Sequence, residues 1–168
     1  MADVVLVGLP GSGKTTTGRA LASTLERAFV DADDAFFDRE HVSVQDYLRA
    51  HGESAFRERE VQALAQALSG ASIVATGGGV VTTLEARHLL RHELTVWLDC
   101  PDEILVTRVL DGDRPLLDDD PAQRLSELRR QRDSLYAEVS RFKVDSSGPL
   151  DQLVLQLRDI VENAQASS

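Results

Sequence analysis

The sequence predicts an α/β fold, a doubly wound parallel sheet with helices on both faces, and three observations carry that prediction. Strand-like and helix-like stretches alternate five times along the chain, the pattern of successive βα units. The first strand candidate is a continuous apolar run, as expected of a strand buried on both faces. Glycine-rich and acid-rich stretches follow the strand candidates directly, so they gather beyond the carboxyl ends of the strands, where ligands bind in open α/β sheets.

The elements follow in order. Val4-Val5-Leu6-Val7 is the first strand, and Gly8-Leu9-Pro10-Gly11-Ser12-Gly13-Lys14-Thr15 comes next. Gly8, Gly13, Lys14 and Thr15 fit G-x-x-x-x-G-K-[ST], in the strand-loop-helix setting that this motif needs. The glycines let backbone N–H groups converge on phosphate oxygens, and the helix that follows presents its positive end. Gly11, Ser12, Gly13 and Thr16 would line this cradle, Lys14 would reach the terminal phosphates, and Thr15 would hold Mg²⁺ through its hydroxyl. Gly18, Leu21, Ala22 and Leu25 have helical spacing, predicting a helix over about residues 13–27 with its small face on the sheet.

Phe29-Val30-Asp31-Ala32-Asp33 reads as a second strand, in which Asp31 and Asp33, two apart, share a face. Two carboxylates beside a phosphate loop suggest Mg²⁺; an Asp-rich turn before a helix is the alternative. Ser43 with Asp46 has capping-box spacing and Gly52 is a stop, framing a short helix. A longer helix over residues 53–69 buries Val61, Leu64, Ala65 and Leu68 and carries Phe56 and Arg57 in its first turn. The strand over residues 73–76 ends in Gly77-Gly78-Gly79, a run tolerated where something must approach the backbone closely. Thr82 with Glu85 is the expected cap of the next helix.

Thr95-Val96-Trp97-Leu98-Asp99 is the fourth strand, and Pro101 starts a helix containing Ile104, Leu105 and Arg108. The polar connection over about residues 110–121 is long enough to be a lid, and Arg114 is the cation within it. From Ala122 a stripe of Leu125, Leu128, Leu135, Tyr136 and Val139 marks a long helix. Arg132 interrupts that stripe and must either snorkel to water or meet an anion. Phe142-Lys143-Val144-Asp145 is the last strand, and an amphipathic helix closes the chain after Pro149.

At 168 residues with 42% hydrophobic content the chain is expected to be one domain, residues 1–168, with a real core. With 18 Lys and Arg against 28 Asp and Glu, the net charge is −10, which argues against nucleic-acid or anionic-membrane partners. One cysteine and no long apolar run point away from disulfides and membrane insertion and make the cytoplasm the expected location. Asn163 is the sole asparagine, so the Asn-Lys-x-Asp signature of guanine-nucleotide switches is missing. A small-molecule kinase remains, or a nucleotide-binding module without turnover.

The combination of Gly8-Leu9-Pro10-Gly11-Ser12-Gly13-Lys14-Thr15, the Asp-x-Asp at Asp31 and Asp33, Phe56-Arg57, Gly77-Gly78-Gly79, Arg114-Pro115-Leu116-Leu117 and Arg132 ahead of Leu135-Tyr136 closely resembles shikimate kinase over nearly the whole chain. The resemblance implies a P-loop fold like that of nucleoside-monophosphate kinases, with strand order 2-3-1-4-5, a mobile lid and a monomer. It implies transfer of the γ-phosphate of ATP to the 3-hydroxyl of shikimate, on the route to chorismate and the aromatic amino acids. By position it places Lys14 and Arg114 on the phosphates, and Thr15 with Asp31 on Mg²⁺. Asp33 falls on the substrate hydroxyls, within a substrate-binding segment of about residues 31–60. Arg57 and Arg132 fall on the carboxylate, with Gly77, Gly78 and Gly79 lending backbone N–H groups. Relatives often carry basic residues near adenine; here Arg108 occupies the first such place and Ser146-Ser147-Gly148-Pro149 fills the second. Asp34 is an alternative to Asp33, and a gluconate-type sugar-acid kinase or a non-catalytic nucleotide-binding relative is the alternative function.

Overall fold

In the computed structural model, which describes residues 1–70, 72–111 and 120–166, five parallel strands form one sheet. They are β1 (Val4–Val7), β2 (Ala28–Asp31), β3 (Ser72–Ala75), β4 (Thr95–Asp99) and β5 (Phe142–Asp145), in the order β2-β3-β1-β4-β5. Leu6 of β1 lies opposite Ala75 of β3 and Val96 of β4. That register brings the loops leaving all three strands to one edge.

The helices are α1 (Lys14–Leu25), α2 (Ala32–Glu40), α3 (Val44–Ala67), α4 (Leu84–Leu90), α5 (Asp102–Leu110), α6 (Pro121–Val139) and α7 (Leu150–Ala166). Strand alternation divides the core between them. Val5, Val7, Val74 and Trp97 face α3 to α6, while Val4, Leu6, Ile73, Val96 and Leu98 face Leu21 of α1 and Leu153, Leu157 and Val161 of α7. Each fully buried aliphatic side chain contributes about 1.5 to 3 kcal/mol, so the central strand, wholly buried at all four positions, is a rigid base for the loop that leaves it.

A separate small core holds α2 to α3. Phe36 meets Tyr47 and Phe56 edge-on, each at 5.3 Å between ring centroids, and Ala63 completes the cluster. This cluster fixes Phe56, and therefore its neighbour Arg57, without help from the sheet.

The structure differs from the sequence expectation at two places. The second strand ends at Asp31 and α2 begins at Ala32, so Asp31 and Asp33 do not share a strand face. Asp31 instead accepts a hydrogen bond from the Asp33 backbone N–H (3.0 Å), and this local capping wins over strand continuation. Thr82 does not cap α4: it ends a 3-10 turn (Val80–Thr82), its hydroxyl donates to the Gly79 carbonyl (2.7 Å), and the cap position is Thr83. The expected stop at Gly52 is present: its non-helical backbone (φ 81°, ψ 171°) divides α3 into a shorter and a longer helix. The Ser43 cap is present, its side chain accepting from Asp46 N–H at 3.1 Å, as is the helix start at Pro101, the N-cap position of α5. Residues 112–119, which include Arg114 and most of the expected lid, lie outside the described residues.

Candidate active site

The loop after β1 turns into α1 at Gly13, whose left-handed backbone (φ 89°) is one that side-chain-bearing residues rarely adopt. No side chain caps α1 and its first turn holds no acid. Its leading N–H groups are therefore available to an anionic ligand, with the helix dipole in favour. Lys14 is buried, and its ammonium folds back over the loop, donating to the carbonyls of Gly8 (2.8 Å) and Leu9 (3.0 Å). The loop lines one side of a cavity of about 860 Å³ whose other walls include Asp31, Asp33, Thr76, Gly77, Gly78 and Arg108. Gly11, Ser12, Gly13, Thr15 and Thr16 all border it.

Thr15 and Asp31 meet directly: the hydroxyl donates to Asp31 Oδ2 at 2.7 Å. A hydroxyl and a buried carboxylate at the phosphate loop are hard oxygen donors, the chemistry that suits Mg²⁺. Asp33, in the first turn of α2, lies against the loop after β3, for a Cβ built on Gly77 would sit 3.2 Å from Asp33 Oδ1. Asp34 is turned away: it is exposed and pairs with Arg19 at 3.7 Å.

The two arginines come from distant helices, Arg57 packing on this loop and Arg132 lying one helical turn from a tyrosine that bonds to it. Arg57 stacks on Gly79 so closely that a Cβ there would lie 2.5 Å from its Nη2. Its guanidinium sits 5.0 Å from the Phe56 ring centroid and donates to Glu60 (2.6 Å) and Glu53 (3.3 Å). Glu60 is buried, and burial pushes its carboxyl above the usual range while Arg57 pulls it back; Asp33 and Arg132 also act on it electrostatically. Arg132, half-buried on α6, lies beside Tyr136, whose hydroxyl donates to the Gly78 carbonyl (2.5 Å). Neither Arg57 Nε nor Arg132 Nε has an acceptor among the described residues, although both are buried. Guanidinium groups carry further N–H donors beyond Nε, and two of them near one backbone loop are chemically suited to a small carboxylate.

Arg108 borders the cavity near the phosphate loop. It donates to the carbonyls of Gly11 (3.3 Å) and Ser146 (2.8 Å), joining α5, the loop and the turn after β5. Ser146 and Gly148 line the same end. Arg114 lies outside the described residues.

The sequence reading missed Glu60, the linking hydroxyl of Tyr136, and Arg129. An Arg and Glu three apart on a helix, as Arg57 and Glu60 are, is a common surface pattern, so the spacing alone carries little signal. Arg129 donates to Asp102 (2.6 Å), Asp99 (2.9 Å) and the Cys100 carbonyl (2.8 Å), tying α6 to the end of β4 and the start of α5. Burial pushes the Asp99 carboxyl up, but its contacts with Arg129 and Lys143 outweigh this and hold it below the usual range.

A phosphate-cradling loop at the carboxyl edge of a 2-3-1-4-5 parallel sheet, with a carboxylate and two guanidinium groups beside it, defines a class: P-loop kinases of small molecules. A family model described as shikimate kinase matches residues 10–162. Shikimate kinase 2 of Escherichia fergusonii is 36% identical over 163 residues, spanning 94% of this chain and 90% of that protein. The solved shikimate kinase of Acinetobacter baumannii, in complex with shikimate, is 34% identical with a TM-score of 0.88, covering 95% of this chain and 93% of that one. A gluconokinase from Sinorhizobium meliloti, 20% identical with a TM-score of 0.65 over 98% of this chain and 96% of its own, shares the fold alone. The chain belongs to the shikimate kinase family, and is an ATP-dependent kinase.

Proposed function

We propose that this chain transfers the γ-phosphate of ATP to the 3-hydroxyl of shikimate, forming shikimate 3-phosphate and ADP. The observation that supports this reading is that Arg57 of α3 packs on Gly79 and Asp33 on Gly77, while Arg132 lies one helical turn along α6 from Tyr136, whose hydroxyl bonds to Gly78. Shikimate has one carboxylate and three hydroxyls, and this arrangement offers fixed guanidinium groups for the former and an acceptor for the latter.

The nucleotide's phosphates lie in the loop of residues 8–15, contacted by the backbone at Gly11, Ser12 and Gly13 and by Thr16, with its base toward Arg108 and the turn at Ser146. Lys14 exchanges its loop carbonyls for phosphate oxygens. Thr15 and Asp31 would hold Mg²⁺, which when bound would supply positive charge at the phosphates. Arg57 and Arg132 grip the acceptor's carboxylate, Gly77, Gly78 and Gly79 contribute N–H groups, and Asp33 orients the hydroxyls. As the bond from the acceptor oxygen to the γ-phosphorus forms and the bond to ADP breaks, Asp33 takes the hydroxyl proton. Lys14 and Arg114 neutralise charge on the phosphoryl group in flight, so catalysis rests on positioning and electrostatics.

Residues 110–121 act as the lid, and the chain works as a single-domain cytoplasmic monomer without nucleic-acid partners. No described helix is long and apolar enough to cross a membrane.

An acceptor panel with Mg-ATP tests the reading. Shikimate should be phosphorylated, and gluconate and nucleoside monophosphates should not. Turnover of gluconate with none of shikimate would overturn the assignment, and no product from any acceptor would favour a non-catalytic role.

A further inference from the structure

The Tyr136 hydroxyl has no part in the mechanism above, yet it touches both halves of the acceptor site. The ring is completely buried, tilted against Trp97 at 5.7 Å between centroids and packed among Leu125, Leu128 and Val139. Its oxygen cannot wander. A phenol has one hydrogen to donate, and here that hydrogen goes to the Gly78 carbonyl at 2.5 Å. The oxygen can then only accept, and Arg132, one helical turn back on the same face of α6, is a cation placed to donate to it.

Gly78 is itself backed by the phosphate loop, since a Cβ there would lie 3.0 Å from Pro10 Cδ. The carbonyl, the phenol and the guanidinium therefore form a chain whose far end is anchored. Arg132 is a long side chain with many rotamers, and its buried Nε has no acceptor among the described residues. A fixed phenol oxygen is what selects one setting for it.

We propose that Tyr136 is a positioning residue that sets Arg132 for the acceptor's carboxylate, and so determines how strongly the site prefers a carboxylic acid to a neutral analogue. The inference rests on Arg132 holding that carboxylate. A purely structural Tyr136 would fill core volume and favour no acceptor over another.

The test uses Tyr136→Phe, which keeps the packed ring and deletes only the oxygen, with Arg132→Met alongside. Two ligands are compared: shikimate, and its analogue with a hydroxymethyl group in place of the carboxylate, measured as a competitor so that it need not be turned over. Tyr136→Phe should raise KM for shikimate about tenfold, the effect of losing one charge-assisted alignment, with KM for ATP unchanged. The competitor's inhibition constant should stay at its wild-type value, so the preference for the acid shrinks by the same factor. Equal weakening of both ligands, or an unchanged KM for shikimate, overturns the proposal. Arg132→Met separates the two levels. If it leaves the preference for the acid intact, the carboxylate reading itself fails; if it abolishes the preference while Tyr136→Phe changes nothing, only the role of Tyr136 falls.

Discussion

Gly79→Ala reaches the acceptor site through geometry alone. The added Cβ would lie 2.5 Å from Arg57 Nη2, 2.7 Å from Nη1 and 2.9 Å from Cζ, so the methyl group and the guanidinium cannot share the space. The backbone of Gly79 (φ −91°, ψ −2°) accepts alanine without strain, and the guanidinium is the part that gives way. It must move by about 1 Å to reach ordinary van der Waals distance. That shift breaks the 2.6 Å contact with Glu60 and takes Arg57 off the loop edge. Losing one hydrogen bond to a charged ligand group costs about 1.5 to 3 kcal/mol, which at 1.4 kcal/mol per decade is a rise in shikimate KM of about tenfold to a hundredfold. A coupled ADP-release assay with varied shikimate and saturating Mg-ATP reads this directly, and KM for ATP should stay within about twofold because the phosphate loop is not touched. A wild-type shikimate KM in a folded Gly79→Ala protein would refute the assignment of Arg57 to the acceptor.

Lys14→Ala should leave a folded protein whose turnover is lower by about two to three orders of magnitude, the effect of removing one fixed cation from developing charge; near-normal kcat would contradict its role. Glu60 links stability to pH. Its folded-state carboxyl is raised by burial above the ordinary value of 4.5, so its contribution is present below that value and is lost as pH rises through the raised one. Urea titrations of wild type and Glu60→Gln across that window should therefore show the wild type losing stability relative to the variant as pH rises, and parallel curves would rule this out. Arg129→Met should cost about 1 to 3 kcal/mol in the same unfolding assay, since it strips hydrogen bonds from Asp99 and Asp102 at a partly exposed site. A loss below about 0.5 kcal/mol would mean that the network is solvent-screened.

The parts legible in the sequence are those set by near neighbours. The phosphate loop was readable because strand, glycines, lysine and hydroxyl are contiguous, and β4 and β5 fall within the residues that their composition marks. The Ser43 cap and the helix break at Gly52 were readable for the same reason. The second strand was over-extended because Asp31-Ala32-Asp33 fits alternation as well as capping, and only the hydrogen bond from Asp33 N–H to Asp31 decides for the helix. Arg132 was visible as an anomaly on an apolar stripe, but whether it reached water or a ligand depended on what lay across from α6.

What the sequence by itself determined, then, is the phosphate-binding end of the molecule and the layered sheet that carries it, because hydrophobic periodicity and the turn chemistry of glycine act over a few residues. The end proposed for the acceptor was decided by tertiary structure. Tyr136 meets Gly78 across 58 positions of chain, Arg108 meets Gly11 across 97, and the opposition of Glu60 to Arg57 matters only because residues 77–79 pack over both. Such partners are chosen by the order of strands in the sheet, which brings loops remote in sequence to one edge and leaves buried charge no alternative but to pair there.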